Sequence, residues 1–205
     1  LYLRLSLPEL PKAHAVASKS SRAIIAKVFC ISILGAVVFY VQNLASGILG
    51  KAMNIDNLAL INSSILVVML FVFAVFVDKR SSPTKAFKIG ALLMLFSAVP
   101  LFALLGSNQF VWQALAVLGI SSLAAIILGN LAALLWKQSD NQTTSLGIGY
   151  NIALSIFGGL TPLIVTEAML FSPAYVGIYV AIATIPGLTV LYRFNAQTLQ
   201  KPIEA

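Results

Sequence analysis

The chain has 205 residues, of which 60% are hydrophobic and 9% charged, with a mean hydropathy of +0.97. Soluble domains carry about 25% charged residues, so a water-exposed globule of this size is excluded for want of polar surface, and an all-α integral membrane protein is expected. One cysteine, Cys30, excludes an internal disulfide, and one histidine, His14, leaves no histidine-based metal cluster or Ser/His/Asp triad; no metal, no cofactor and no enzymatic activity are expected. The net charge of +7 comes from 13 basic and 6 acidic residues, and the cations fall between apolar runs rather than along one helix face. That distribution argues for membrane topology and against nucleic acid.

In chain order, residues 1–23 open on the apolar Leu1–Leu7, which Arg4 and Pro8 interrupt before a polar segment from Pro11 to Arg22. This is expected to be the end of a preceding span running into a cytoplasmic linker, which makes the chain the second half of something longer; no signal-peptide layout is present. Crossing a hydrocarbon core takes about 20 mostly apolar residues in a helix. Six stretches qualify, at about 24–50, 58–77, 86–105, 110–136, 146–171 and 174–192, so 24–192 is read as a six-helix transmembrane bundle and 193–205 as a cytoplasmic tail. The runs lack the period-two alternation of barrel strands.

Lys and Arg are retained on the cytoplasmic side. With the amino terminus inside, that side holds Arg4, Lys12, Lys19, Arg22, Lys27, Lys79, Arg80, Lys85, Lys88, Lys137, Arg193 and Lys201, which is 12 of 13, and Lys51 alone is outside. Both termini are therefore expected to be cytoplasmic.

Lipid tails do not drive helices together, so faces that pack or line a cavity are recognised by small and polar residues. The first span gathers Ser32, Gly35, Ala36, Phe39, Tyr40, Gln42, Asn43, Ser46 and Gly47 on one arc, with Ile31, Leu34, Val37, Val38, Val41, Leu44, Ala45 and Ile48 opposite; a cavity lining and plain interhelical hydrogen bonding are both open for Gln42 and Asn43. Asn62, Ser63 and Ser64 form a weaker version of the same signal in the second span. The fourth span carries Ser121, Ser122 and the series Ala125, Gly129, Ala133, which reads as close helix contact. In the fifth span a stripe of Asn151, Ser155, Gly158, Gly159, Pro162 and Thr166 faces away from Ile152, Ile156, Leu160, Leu163 and Ile164. The glycine pair and Pro162 predict a kink that could serve as a gating hinge, with close packing as the alternative. Glu167 is expected near the interface, since ionised groups are costly deeper in the bilayer.

The loop Ala74-Val-Phe-Val-Asp78-Lys79-Arg80 with Lys85 and Lys88, the stretch Leu3-Arg4-Leu-Ser6-Leu7-Pro8-Glu9, and Gly149-Tyr150-Asn151-Ile through Phe157-Gly158-Gly159-Leu160-Thr161-Pro162 resemble the major facilitator superfamily, in its metabolite:proton symporter branch of proline/betaine, citrate, 2-oxoglutarate and shikimate carriers. The likeness covers nearly the whole chain but corresponds only to the carboxy-terminal six of twelve helices. Ala74 replaces the usual glycine, and Ser81, Ser82 and Pro83 stand where Gly and Arg are common. The resemblance implies that the first and fourth spans are central cavity helices, that the second and fifth flank the cavity, and that the third and sixth support from outside. It also gives Asp78, Lys79 and Arg80 a role at the cytoplasmic gate.

The function expected is secondary active transport, as a proton-coupled symport, of a small polar metabolite such as a zwitterionic osmolyte or a carboxylate across a bacterial inner membrane. Substrate-binding candidates are Tyr40, Gln42, Asn43, Ser121, Asn151 and Ser155; gating candidates are Asp78, Lys79, Arg80, Gly158, Gly159 and Pro162. The expected partners are an amino-terminal six-helix half on the same or a separate chain, the small-molecule substrate, protons and membrane lipid. A non-transporting six-helix scaffold or assembly subunit is the alternative.

Overall fold

An apolar run in lipid has nowhere to send its backbone N–H and C=O groups except along its own axis, so such runs close into helices. A computed structural model of the chain describes residues 22–53, 57–80, 82–140 and 142–199, without the side chains at 44–45, 52–53, 74, 76–80 and 194–199. Among the described residues there are seven α-helices, one π-helical stretch and no strand. They are α1 (Arg22–Tyr40), the π stretch (Val41–Ala45), α2 (Ser46–Met53), α3 (Leu58–Arg80), α4 (Pro83–Leu105), α5 (Phe110–Gln138), α6 (Thr143–Met169) and α7 (Pro173–Leu199).

Five helices are long and apolar enough to cross a membrane by length and composition: Arg22–Asn43, Pro83–Leu105, Phe110–Gln138, Thr143–Met169 and Pro173–Arg193; α3 contributes a shorter apolar stretch, Leu58–Phe73. This is the all-helical fold of a multi-pass membrane protein. Its surface agrees with that class, since Phe71, Phe96 and Ile182 are exposed on the outside of the bundle where lipid would meet them.

The helix ends have local causes. The break between α3 and α4 is shorter than the polar run Asp78–Lys85 suggests, because Pro83 takes the first helical position, where no N–H is needed, and the Ser82 hydroxyl accepts from the Lys85 N–H at 3.3 Å. Pro173 opens α7 in the same way, with the Ser172 hydroxyl accepting from the Ala174 N–H. Asn57 and Asp140 stand in the left-handed region at φ 55° and 50°, a conformation that short polar side chains tolerate.

The packing is not a ring of neighbours in sequence. α4 lies between α5 and α7; α1 lies against α6, α7 and α5; α3 lies against α5 and along the π stretch and α2. Exchanging α1, α3 and α4, in order, for α5, α6 and α7 maps each of the principal pairs among these six helices onto another or onto itself. The α1·α6 pair becomes α5·α3, α1·α7 becomes α5·α4, and α1·α5 and α4·α7 map onto themselves. The bundle is thus two three-helix units packed by one pattern.

Two glycines allow the closest crossings. A Cβ on Gly149 would lie 2.7 Å from the Ile25 carbonyl oxygen, and one on Gly177 would lie 2.7 Å from the Ala98 carbonyl oxygen, so α6 rests on the backbone of α1 and α7 on that of α4. Lys88 Nζ sits 4.6 Å from the Tyr192 ring centroid, a cation–π contact that ties α4 to α7. Phe87, Met94, Phe102, Leu34, Ile127 and Leu134 fill the core between these helices.

Candidate functional site

A cavity of about 550 Å³ opens between the first span, α3, α5 and α6. Phe39 and Asn43 line it from the first span, Leu66 and Leu70 from α3, Trp136 with several leucines from α5, and Tyr150 from α6; α4 and α7 contribute nothing to its wall. It reaches from the middle of the first span to the break between α5 and α6, since Trp136 lies in the last turn of α5 and Leu146, also on its wall, in the first turn of α6.

The π stretch positions the polar end of this cavity. A π turn carries one residue more than an α turn, which widens the helix and leaves carbonyls poorly paired. Here the Ser46 hydroxyl donates to the Val41 carbonyl at 3.0 Å and also approaches the Gln42 carbonyl. Asn62 Nδ2 of α3 donates in turn to Ser46 Oγ at 3.2 Å. The widened turn is held by a serine that a second helix holds in place.

Two neighbouring amides of this stretch go to different environments. Gln42 is 1% exposed and its Nε2 donates to Ser121 Oγ at 3.0 Å, with Ser121 itself fully buried; the pair is an interhelical hydrogen bond inside the bundle. Asn43 faces the cavity, with Nδ2 donating to the Phe39 carbonyl at 2.8 Å and Oδ1 accepting from Ser63 Oγ of α3 at 3.4 Å. Adjacent helical residues lie about 100° apart, and here that angle separates the buried interior from the cavity.

The other candidates distribute as follows. Tyr40 is half-buried with its ring against Gly158 of α6 and edge-on to Phe39, at 5.4 Å between centroids. Asn151 and Ser155 are exposed on α6; Asn151 Nδ2 donates to the Gly147 carbonyl at 2.8 Å. Asn151 follows Tyr150 and so stands about 100° further round the helix, outside the cavity wall. Gly159 has open space where a Cβ would be. α6 stays helical on both sides of Pro162, whose carbonyl accepts from Thr166 Oγ1 at 2.8 Å. Asp78, Lys79 and Arg80 close α3, and their side chains lie outside the described residues.

Of the six binding candidates, the structure therefore brings Gln42 and Ser121 to each other and Asn43 to the cavity, and it seats Tyr40 against Gly158, outside the cavity lining. The aromatic wall, Phe39, Trp136 and Tyr150, was not among the residues singled out for binding. Tyr150 falls inside the Gly-Tyr-Asn run of the fifth span, but no periodicity separates its role from that of Asn151 beside it. The π stretch has no sequence signal of its own, although Ser46 and Asn62, which hold it, both stand on arcs read as polar. No protein-family model, curated protein or solved structure matches the chain.

Proposed function

We propose that the chain is one six-helix bundle of a secondary transporter of major facilitator type, with both termini cytoplasmic in a bacterial inner membrane, moving a small molecule by alternating access. The observation that carries this reading is the cavity between the first and fourth spans, flanked by the second and fifth, with the third and sixth spans absent from its wall. The exchange pattern of helix pairs supports it too, because carrier bundles are built from three-helix repeats around a midplane site.

Gly129, Ala132, Ala133, Asn151 and Ser155 are exposed on α5 and α6. Small and polar residues on membrane helices favour contact with another helix over contact with lipid, so these residues fit the face of a companion bundle closing the cavity from the other side. The two bundles rock about the site. The Tyr40–Gly158 contact and the π stretch mark where the first and fifth spans re-pack as they do so. Proton coupling belongs in this scheme to a carboxylate of the companion bundle, since no acid or histidine lines this cavity.

The test is uptake into vesicles holding the full chain and its companion, with and without a pH gradient, over a panel of labelled zwitterions, carboxylates and neutral amphipaths. Saturable uptake of one class, raised by the gradient, is expected. Unsaturable flux of every solute would make the chain a scaffold or assembly subunit instead.

A further inference from the structure

The cavity wall specifies more than a passage. We infer that its occupant is a neutral amphipath, a molecule with an aromatic or branched apolar body and one hydrogen-bonding head, rather than a zwitterion or a carboxylate; this rests on the carrier reading of the same site. The volume of about 550 Å³ lies within the range of about 300–1,000 Å³ usual for small-molecule pockets. Leucines of α3, α5 and α6 with Phe39 and Trp136 make up most of the wall, and no charged side chain belongs to it.

Desolvation decides between solute classes here. An ionised carboxylate or ammonium brought against leucine and phenylalanine gives up its water, and this chain's part of the wall offers no counter-charge to replace it, which is costly in an apolar setting. An apolar body gains from the same transfer in proportion to the area it buries. The polar groups that remain suit one uncharged head. Tyr150 and Trp136 line the cavity and their side chains make no hydrogen bond among the described residues, and Asn43 keeps one amide hydrogen after its bond to Phe39. These offer donors and an acceptor with no net charge, which match a carbonyl, a hydroxyl or an amide. The aromatic faces add stacking area for a flat ring.

The sequence contains two tryptophans, Trp112 and Trp136, and W112F removes from energy transfer the one outside the cavity wall. The full chain is placed in lipid nanodiscs and titrated with N-phenyl-naphthylamine, a neutral amphipath that accepts energy from tryptophan. Saturable transfer is expected, unaffected by glycine betaine or citrate, and weakened at least about tenfold, one contact's worth of affinity, in A132F, which fills the cavity from an exposed position. N43L, which removes the amide and keeps the number of side-chain heavy atoms, is expected to weaken it less. Transfer that never saturates and is the same in A132F, or that betaine or citrate displaces, would overturn the assignment. The uptake panel separates the two ideas: saturable uptake confined to zwitterions or carboxylates overturns the class and leaves the carrier standing. If no solute is taken up the carrier fails, and saturable, A132F-sensitive binding at Trp136 still decides the class.

Discussion

Gly158 and Gly159 are adjacent in sequence and have opposite surroundings. A Cβ at Gly158 would fall 2.4 Å from Tyr40 Cζ, whereas at Gly159 nothing lies within 4 Å. Gly158→Ala must push the Tyr40 ring off α6 and is expected to destabilise by about 1–3 kcal/mol, the usual range for overpacking. Gly159→Ala removes backbone freedom from a helix interior and is expected to stabilise by up to about 1 kcal/mol. Thermal unfolding in detergent reads the two signs; equal shifts would place Tyr40 elsewhere. The buried Gln42–Ser121 pair gives a second residue-scale prediction. Ser121→Ala strands the Gln42 amide and is expected to cost about 1–2 kcal/mol, while Gln42→Met combined with Ser121→Ala recovers most of the loss. An additive double-mutant cycle would show that the two side chains do not bond.

At the scale of elements, the first span is one continuous helix with an extra residue accommodated at Val41–Ala45. Removing one residue there, for example Leu44, takes out the residue that the widened turn absorbs, so the α register is restored while α2 keeps nearly the same facing, and Ser46 comes to stand four residues after Val41, still within reach of its carbonyl. Cys30 is the only cysteine, so Cys30→Ser gives a clean background for thiol labelling, and Gly47 is exposed. Gly47→Cys is expected to label readily in that background and at a similar rate after the deletion. Labelling slowed several-fold would mean that the deletion turns α2 and that this turn does not absorb the extra residue. The polar arc of this span could be read at a fixed turn per residue, and its members were. Which of Gln42 and Asn43 goes inward could not, because the insertion is stabilised by Asn62 on another helix.

For the whole molecule, the charge distribution makes a topological prediction. The expected topology puts 12 of 13 Lys and Arg on one side and Lys51 on the other; under it, a cysteine replacing Lys51 in the Cys30→Ser background is expected to react with a membrane-impermeant maleimide added to intact cells, and one replacing Lys137 only after the cells are opened. Reaction of both from outside would break the orientation. The same scale explains the cavity: α1 and α5 lie side by side, and α3 and α6 stand on either flank of the space between them. None of these long-range pairs follows from the span order alone.

The membrane class, the positions of the apolar helices, and the polar sides of α1 and α6 could all be read from the chain, because each depends on composition or on periodicity within one segment. The pairing of Gln42 with Ser121, the seat of Tyr40 on Gly158, the widened turn at Val41–Ala45 and the aromatic wall of the cavity were decided only when the helices packed. Each of these depends on what a second helix places opposite. A one-dimensional pattern shows that a face is polar or small, whereas the contact it makes is set by the distance and rotation of its neighbour.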